Sequence, residues 1–206
     1  MKSVQKPGWL LVFLFICVNI RSASAQTDDI TWLGLDFSQA KFIGPASQFK
    51  DNAGVITTDE IRDRYTVAWN QLFISEQKKY NVAEMVHRPT VKYALEVTAK
   101  ANANIKKDFF GGSPNDFKTL DEKNISDLVS NYDFQGKTGS GVLFFVEGMN
   151  RGAAEAGAWV TLVDMKSKKV LFTTFKIGKA GGFGFRNYWA KSWIKIMEQA
   201  KSEFKN

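Results

Sequence analysis

The sequence predicts one α+β domain: a mixed sheet of about five strands with three helices packed on it, in the order strand, helix, strand, helix, strand, strand, strand, helix. Three observations lead there. Apolar runs at residues 142–149, 158–165 and 169–177 are separated by short polar turns, the pattern of consecutive strands. Residues 57–79 and 185–204 repeat apolar side chains at helical spacing. A chain of 206 residues with 44% hydrophobic content suits a single packed core, and it shows no repeat or low-complexity tract that would divide it.

Taken in order, residues 30–37 form a mostly apolar run expected to be a buried strand. A loop with Gly44-Pro45 and residues 51–54 follows, and then Thr57 and Glu60 stand at capping-box spacing. Behind them Ile61, Tyr65, Ala68, Trp69 and Leu72 make one helical stripe reaching about Lys79. From Val91 to Ile105 every odd position is apolar, and this period of two predicts a half-exposed strand. A helix there would have to place Thr98 and Asn102 on the stripe of Val91 and Leu95. Gly111 to Pro114 breaks the chain, and residues 120–131 read as a short helix carrying Ile125, Leu128 and Val129. The last two strands meet through Lys166-Ser167-Lys168 as a hairpin. Phe185, Tyr188, Trp189, Trp193, Ile196, Ala200 and Phe204 then define a closing amphipathic helix.

The first 25 residues predict a secretory signal peptide, leaving residues 26–206 as the domain. Lys2 and Lys6 are its positive end, residues 9–18 its apolar run, and Ala23-Ser24-Ala25 its cleavage site. A spanning helix needs roughly 20 apolar residues, so an anchor fits less well. Cys17 follows Phe15-Ile16, where a lipobox wants small residues. Cleavage after Ala25 leaves 181 residues, no cysteine and a charge of +4 instead of +7. The expectation is therefore a disulfide-free exported protein of the periplasm, the outer membrane or the extracellular space. One His and one Cys exclude Cys- or His-rich metal sites, and neither metal nor cofactor is expected.

The passage from Gly178 to Asn187 leaves a strand and enters the last helix. Glycines admit close backbone approach, a helix start presents free N–H groups, and Lys179 and Arg186 add charge, so Lys179, Gly181, Gly182, Gly184, Arg186 and Asn187 form a candidate anion cradle. A sharp turn beneath packed aromatics would need the same glycines, and both readings stand. The passage is not a Walker A loop, since Thr173 and Ala180 occupy the required Gly and Ser/Thr places, nor a Rossmann fingerprint, since Asn187 stands at its last glycine.

Conventional catalytic signatures are missing. Gly139-Ser140-Gly141 lies between Thr138 and Val142 and so lacks the nucleophile elbow. His87, before Arg88-Pro89, reads as an exposed loop residue. Among the acids Asp36, Glu147 and Asp164, Glu147 draws most interest. Set between Val146 and Gly148 in a strand, it is either a buried acid partnered by Arg151 or Lys176, and a candidate binding residue, or an outward-facing acid on a solvated face.

Charge is unevenly spread. Residues 166–206 carry ten basic and two acidic residues, whereas the rest of the mature chain sums to −4. Lys191, Lys195 and Lys201 are expected to give the last helix a basic face for an envelope protein or an anionic surface, with peripheral membrane contact as one form of it. Nucleic acid is not an expected partner of an exported chain, and no reading motif for it is present.

The runs Gly141 to Gly148, Trp159 to Asp164 and Lys169 to Thr174 resemble the amino-terminal domains of curli-secretion lipoproteins and TolB. The resemblance spans about 40 residues and implies fold rather than role. The whole chain, with Trp32-Leu33-Gly34-Leu35-Asp36-Phe37 and the Gly-rich run before Asn187-Tyr188-Trp189, is similar to exported proteins of Bacteroidetes-type bacteria; this implies a periplasmic or outer-membrane-associated domain. The leading expectation is a non-catalytic envelope binding or assembly protein acting through its basic carboxy-terminal hairpin and helix. The alternative is a small-molecule or anion-handling enzyme with residues 178–187 as cradle and Glu147 or Asp36 as base.

Overall fold

A computed structural model describes residues 29–205; the signal-peptide assignment, Cys17 included, falls outside them. Strand β1 (Thr31–Asp36) is buried along its whole length because it is paired in parallel along one side and over its first two residues on the other, and packed on both faces, which its nearly continuous apolar run requires. Next come β2 (Lys41–Ile43) and a small hairpin, β3 (Lys50–Asp51) with β4 (Gly54–Val55). The capping box of Thr57 and Glu60 forms as expected and starts a helix in three parts: α1 (Thr58–Glu60), a π-helical stretch Ile61–Tyr65, and α2 (Thr66–Ser75). The chain continues through α3 (Val82–Met85), β5 (Lys92–Tyr93), α4 (Glu96–Ala103) and α5 (Glu122–Ser130). It ends with β6 (Ser140–Asn150), β7 (Glu155–Asp164), β8 (Lys169–Lys179) and α6 (Phe185–Ala200).

The mixed sheet has the order β5-β1-β6-β7-β8, with β2 also paired to β6. Strands β1, β2 and β5 run parallel to their neighbours, while β6, β7 and β8 form an antiparallel meander. On one face Trp32, Leu35, Phe37, Phe144 and Val160 meet Trp69 and Phe73 of α2 and Trp189 and Trp193 of α6. Aromatic pairs carry much of this layer: Trp32 stacks on Phe73 at 4.6 Å and Phe37 on Trp69 at 5.3 Å. On the other face Leu33, Leu143, Phe145, Trp159 and Val163 pack with Ile125 and Val129 of α5.

The expected strand over residues 91–105 is incorrect. Only Lys92–Tyr93 pair, and Glu96–Ala103 are helical. The reason lies in the backbone of β1. Beyond β5 no described strand lies beside its outer edge, and three helix-borne side chains take the place of one. Asn70 of α2 accepts from the Leu35 amide (2.7 Å) and donates to the Leu35 carbonyl (3.0 Å). Thr98 of α4 donates to the Leu33 carbonyl (2.7 Å), and Asn102 accepts from the Phe37 amide (2.7 Å) while donating to Leu35 (2.9 Å). Thr98 and Asn102 thus share the inward face of α4, the very placement that a helix demanded, and each is buried because each answers a buried backbone group. A bulge at Leu33, with Gly34 at φ +108°, turns this edge toward the helices.

Candidate functional site

Gly178 is where α6 crosses the end of β8: a Cβ there would overlap the Ser192 backbone, so only glycine lets helix and strand approach this closely. Beyond it the loop folds back on the helix. The Gly181 amide donates to the Tyr188 carbonyl (2.9 Å), and the Tyr188 amide donates to Gly184, the N-cap residue at φ +74°. Trp69 Nε1 donates to the Arg186 carbonyl (2.8 Å) and ties the loop to α2, and Arg186 Nε donates to Asn187 Oδ1 (3.1 Å). Lys179 faces away from any cradle, paired with Glu155 at 2.7 Å. At the tip Phe183 is 94% exposed.

Two clefts flank the loop. One of about 370 Å³ is lined by Gly184, Arg186 and Asn187 with Asp51, Arg64 and Tyr65. The other, about 270 Å³, is lined by Gly182, Gly184 and Tyr188 with Lys50 and Arg151. The Tyr65 hydroxyl donates to Asp51 (2.6 Å) and holds that carboxyl below the usual range, while burial pushes Tyr65 up to about 12. Arg151 lies over the Tyr188 ring at 4.1 Å. The structure therefore brings Gly182, Gly184, Arg186 and Asn187 together at the clefts and leaves Lys179 out. Arg64, Arg151 and Asp51 belong to the same surface but stand far away in sequence, where no spacing rule reaches them.

Glu147 is not part of that surface. It is the extra residue of a β-bulge between Val146 and Gly148, and it points to the opposite face of the sheet from α6. Its expected partners are incorrect, as Lys176 pairs with Glu203 and Arg151 lies by Tyr188. The solvated alternative fails as well, because Glu147 is only 2% exposed. One carboxylate oxygen accepts from the Leu120 amide (2.7 Å), the Thr119 hydroxyl (3.0 Å) and the Thr119 amide; the other accepts from Trp159 Nε1 (2.8 Å). The Lys118 ammonium lies over the Trp159 and Phe175 rings, 5.2 Å from each centroid. With four donors converging on it, Glu147 pins the segment before α5 to the sheet.

Asp36 ends β1 fully buried. It accepts from the Ser38 amide (2.7 Å) and the Tyr132 hydroxyl (2.5 Å), beneath a cleft of about 550 Å³ between α4 and α5 that Tyr132 lines. Burial raises the Asp36 pKa despite both hydrogen bonds, and it raises that of Tyr132 too. A carboxyl whose folded pKa lies above its unfolded one loses stability as pH rises through that interval, which opens near the ordinary aspartate value of about 3.9. Asp36→Asn keeps an acceptor for Ser38 and removes the buried charge. Its stability relative to wild type, read by urea unfolding, is expected to improve from pH 4 to pH 8; a difference that stays flat with pH would contradict this. Asp164 only closes the β7–β8 turn, accepting from the Ser167 amide at 2.7 Å, and His87 is exposed, its Nε2 2.8 Å from the Lys201 carbonyl.

The basic residues divide into two groups. Lys195 pairs with Glu198 (2.7 Å), Lys201 with Glu84 (2.6 Å), and Lys176 with Glu203. Among the described residues, Lys166, Lys168, Lys169, Lys191, Arg186 and Lys205 form no ion pair, and three of these six sit at the β7–β8 turn. The open charge therefore falls in two separate places, Lys166, Lys168 and Lys169 at the β7–β8 turn and Arg186 with Lys191 beyond the opposite end of β8, where Lys191 lies against Gly181. Comparison of the chain with family models, curated proteins and solved structures found no match.

Proposed function

We propose that the protein is exported and serves in the cell envelope as a binding or assembly protein, meeting an acidic partner through the carboxy-terminal hairpin and the start of α6. The observation that carries this reading is the cluster Lys166, Lys168 and Lys169 at the β7–β8 turn, three positive charges on a rigid hairpin that form no ion pair among the described residues, although Asp164 lies beside them. The reading of residues 178–187 as an anion cradle for an enzyme has less behind it: the Gly181 amide is spent on Tyr188 and Lys179 on Glu155.

The test is a charge reversal on exposed side chains that leaves the core alone. Lys166→Glu, Lys168→Glu and Lys169→Glu together should keep the thermal midpoint and weaken capture of the envelope partner by in-cell crosslinking about tenfold or more, since each reversed contact shifts binding by roughly 0.5–1 kcal/mol. The wild-type complex should also weaken as salt rises. Crosslinking as strong in the triple variant as in wild type would refute the reading.

A further inference from the structure

We infer that β8 is a strand-addition site, whose outer edge pairs with an extended acidic segment of the partner protein. The inference rests on the proposed function and specifies how that surface would bind.

The sheet ends at β8, and this edge strand is 11 residues long, against the five or six usual for strands. Its faces are covered by α5 on one side and α6 on the other, but no described strand lies along its edge. The pairing with β7 fixes which backbone groups are free. The Ala180 amide donates to Ala154 (2.7 Å), so in the antiparallel register Gly178, Lys176 and Thr174 turn their N–H and C=O groups toward β7. Thr173, Phe175 and Ile177 turn theirs outward. Gln199 of α6 marks this side, donating to the Ile177 carbonyl at 2.6 Å. The other outward groups of these three residues have no protein partner among the described residues. Leu171, the extra residue of a bulge opposite Leu162 and Val163, is 56% exposed, and Ile177 is 39% exposed. Such an edge supplies main-chain hydrogen bonds for affinity and apolar side chains for selection.

Charge decides the occupant. Strand β8 carries Lys169, Lys176 and Lys179 and no acid. Edge lysines oppose edge-to-edge pairing of like copies: two β8 strands paired antiparallel about their centres would set Lys169 against Lys179. Lys176 and Lys179 already have internal acids, so net positive charge remains at Lys169 and the adjoining Lys166 and Lys168. A partner strand with its acidic residues toward the turn satisfies this pattern, and a second copy does not.

The probe is a nine-residue peptide alternating valine and glutamate, with a counterpart alternating valine and lysine. Amide hydrogen exchange is followed by NMR on the whole exported domain. With the acidic peptide, the amides of Thr173, Phe175 and Ile177 should exchange about tenfold more slowly while those of Thr174 and Lys176, already bonded to β7, stay unchanged; the basic peptide should protect none. Thr173→Pro removes one outward N–H and no ladder bond, a change edges tolerate, and should abolish the protection with the circular dichroism spectrum preserved. Absence of protection by either peptide, or equal protection by both, would overturn the inference. So would protection without peptide in a sample that sediments as a dimer, since that makes a second copy the occupant. If Thr173→Pro still crosslinks its envelope partner while the charge-reversal variant does not, strand addition is wrong and the binding function stands; if both still crosslink, both readings fall.

Discussion

Replacing Gly34 by alanine is expected to leave the protein unable to hold its fold, with a loss above about 4 kcal/mol, the range reserved for changes that combine backbone strain with a clash in the core. Gly34 sits at φ +108°, beyond even the left-handed region that other residues visit, and a Cβ there would overlap Asn70 Oδ1 and Thr98 Oγ1. Neither oxygen is free to move. Asn70 holds both the amide and the carbonyl of Leu35, and Thr98 holds the carbonyl of Leu33. Displacing them orphans buried backbone groups of β1, each at roughly 1–3 kcal/mol. Gly136 is the internal control: its φ is +73° but no atom lies within 4 Å of a Cβ, so Gly136→Ala should cost only about 1 kcal/mol. Urea unfolding of the two variants, or recovery of soluble protein where one will not fold, makes the comparison. A Gly34→Ala protein within about 1 kcal/mol of wild type would show that the bulge and its three side-chain partners are dispensable.

The same three side chains mark where the sequence was hard to read. Strands β6, β7 and β8 and helix α6 were legible because the strands are apolar runs bounded by polar turns and the helix keeps one apolar stripe, and run length and period alone report that. Residues 91–105 were not, since alanines at odd positions mimic a strand's alternation while Thr98 and Asn102 look like surface residues. Their spacing of four, repeated between Thr66 and Asn70 in α2, is a helical spacing of polar groups. It acquires meaning only once β1 is known to have no described strand beside residues 33–37 on its outer side, beyond the short pairing with β5. The candidate sites divide along the same line. Glu147 could be singled out from its apolar neighbours, but its partners Thr119, Leu120 and Trp159 could not, because a loop's return to a bulge leaves no period in the chain. The clefts beside the Gly-rich loop draw on Asp51, Arg64 and Arg151 as well as residues 182–188, an assembly that depends on how the β3–β4 hairpin and α2 pack against α6.

Glu147→Ala is expected to cost about 3–5 kcal/mol, because it leaves several buried donors without an acceptor, each at roughly 1–3 kcal/mol. The side chain fills no large volume, so the loss must come from its donors. Trp159 Nε1 is buried and would have no acceptor, and the amides of Thr119 and Leu120 would recover one only by letting their segment swing out to water. That movement would carry Phe117 away from Gly148, where it lies close enough that a Cβ would overlap its backbone, and would draw Lys118 off the rings of Trp159 and Phe175. Chemical unfolding should therefore report the stability loss, and hydrogen exchange should report local opening of residues 117–121 well before the rest of the domain. Trp159→Phe provides the counterpart, since it removes the indole donor and keeps the ring. If Glu147 acts as a hub, adding Trp159→Phe to Glu147→Ala should cost at least about 1 kcal/mol less than Trp159→Phe costs in wild type, because the orphaned donor is no longer there. Strictly additive losses would mean that the indole bond contributes nothing, and that the bulge holds the loop through Thr119 and Leu120 alone.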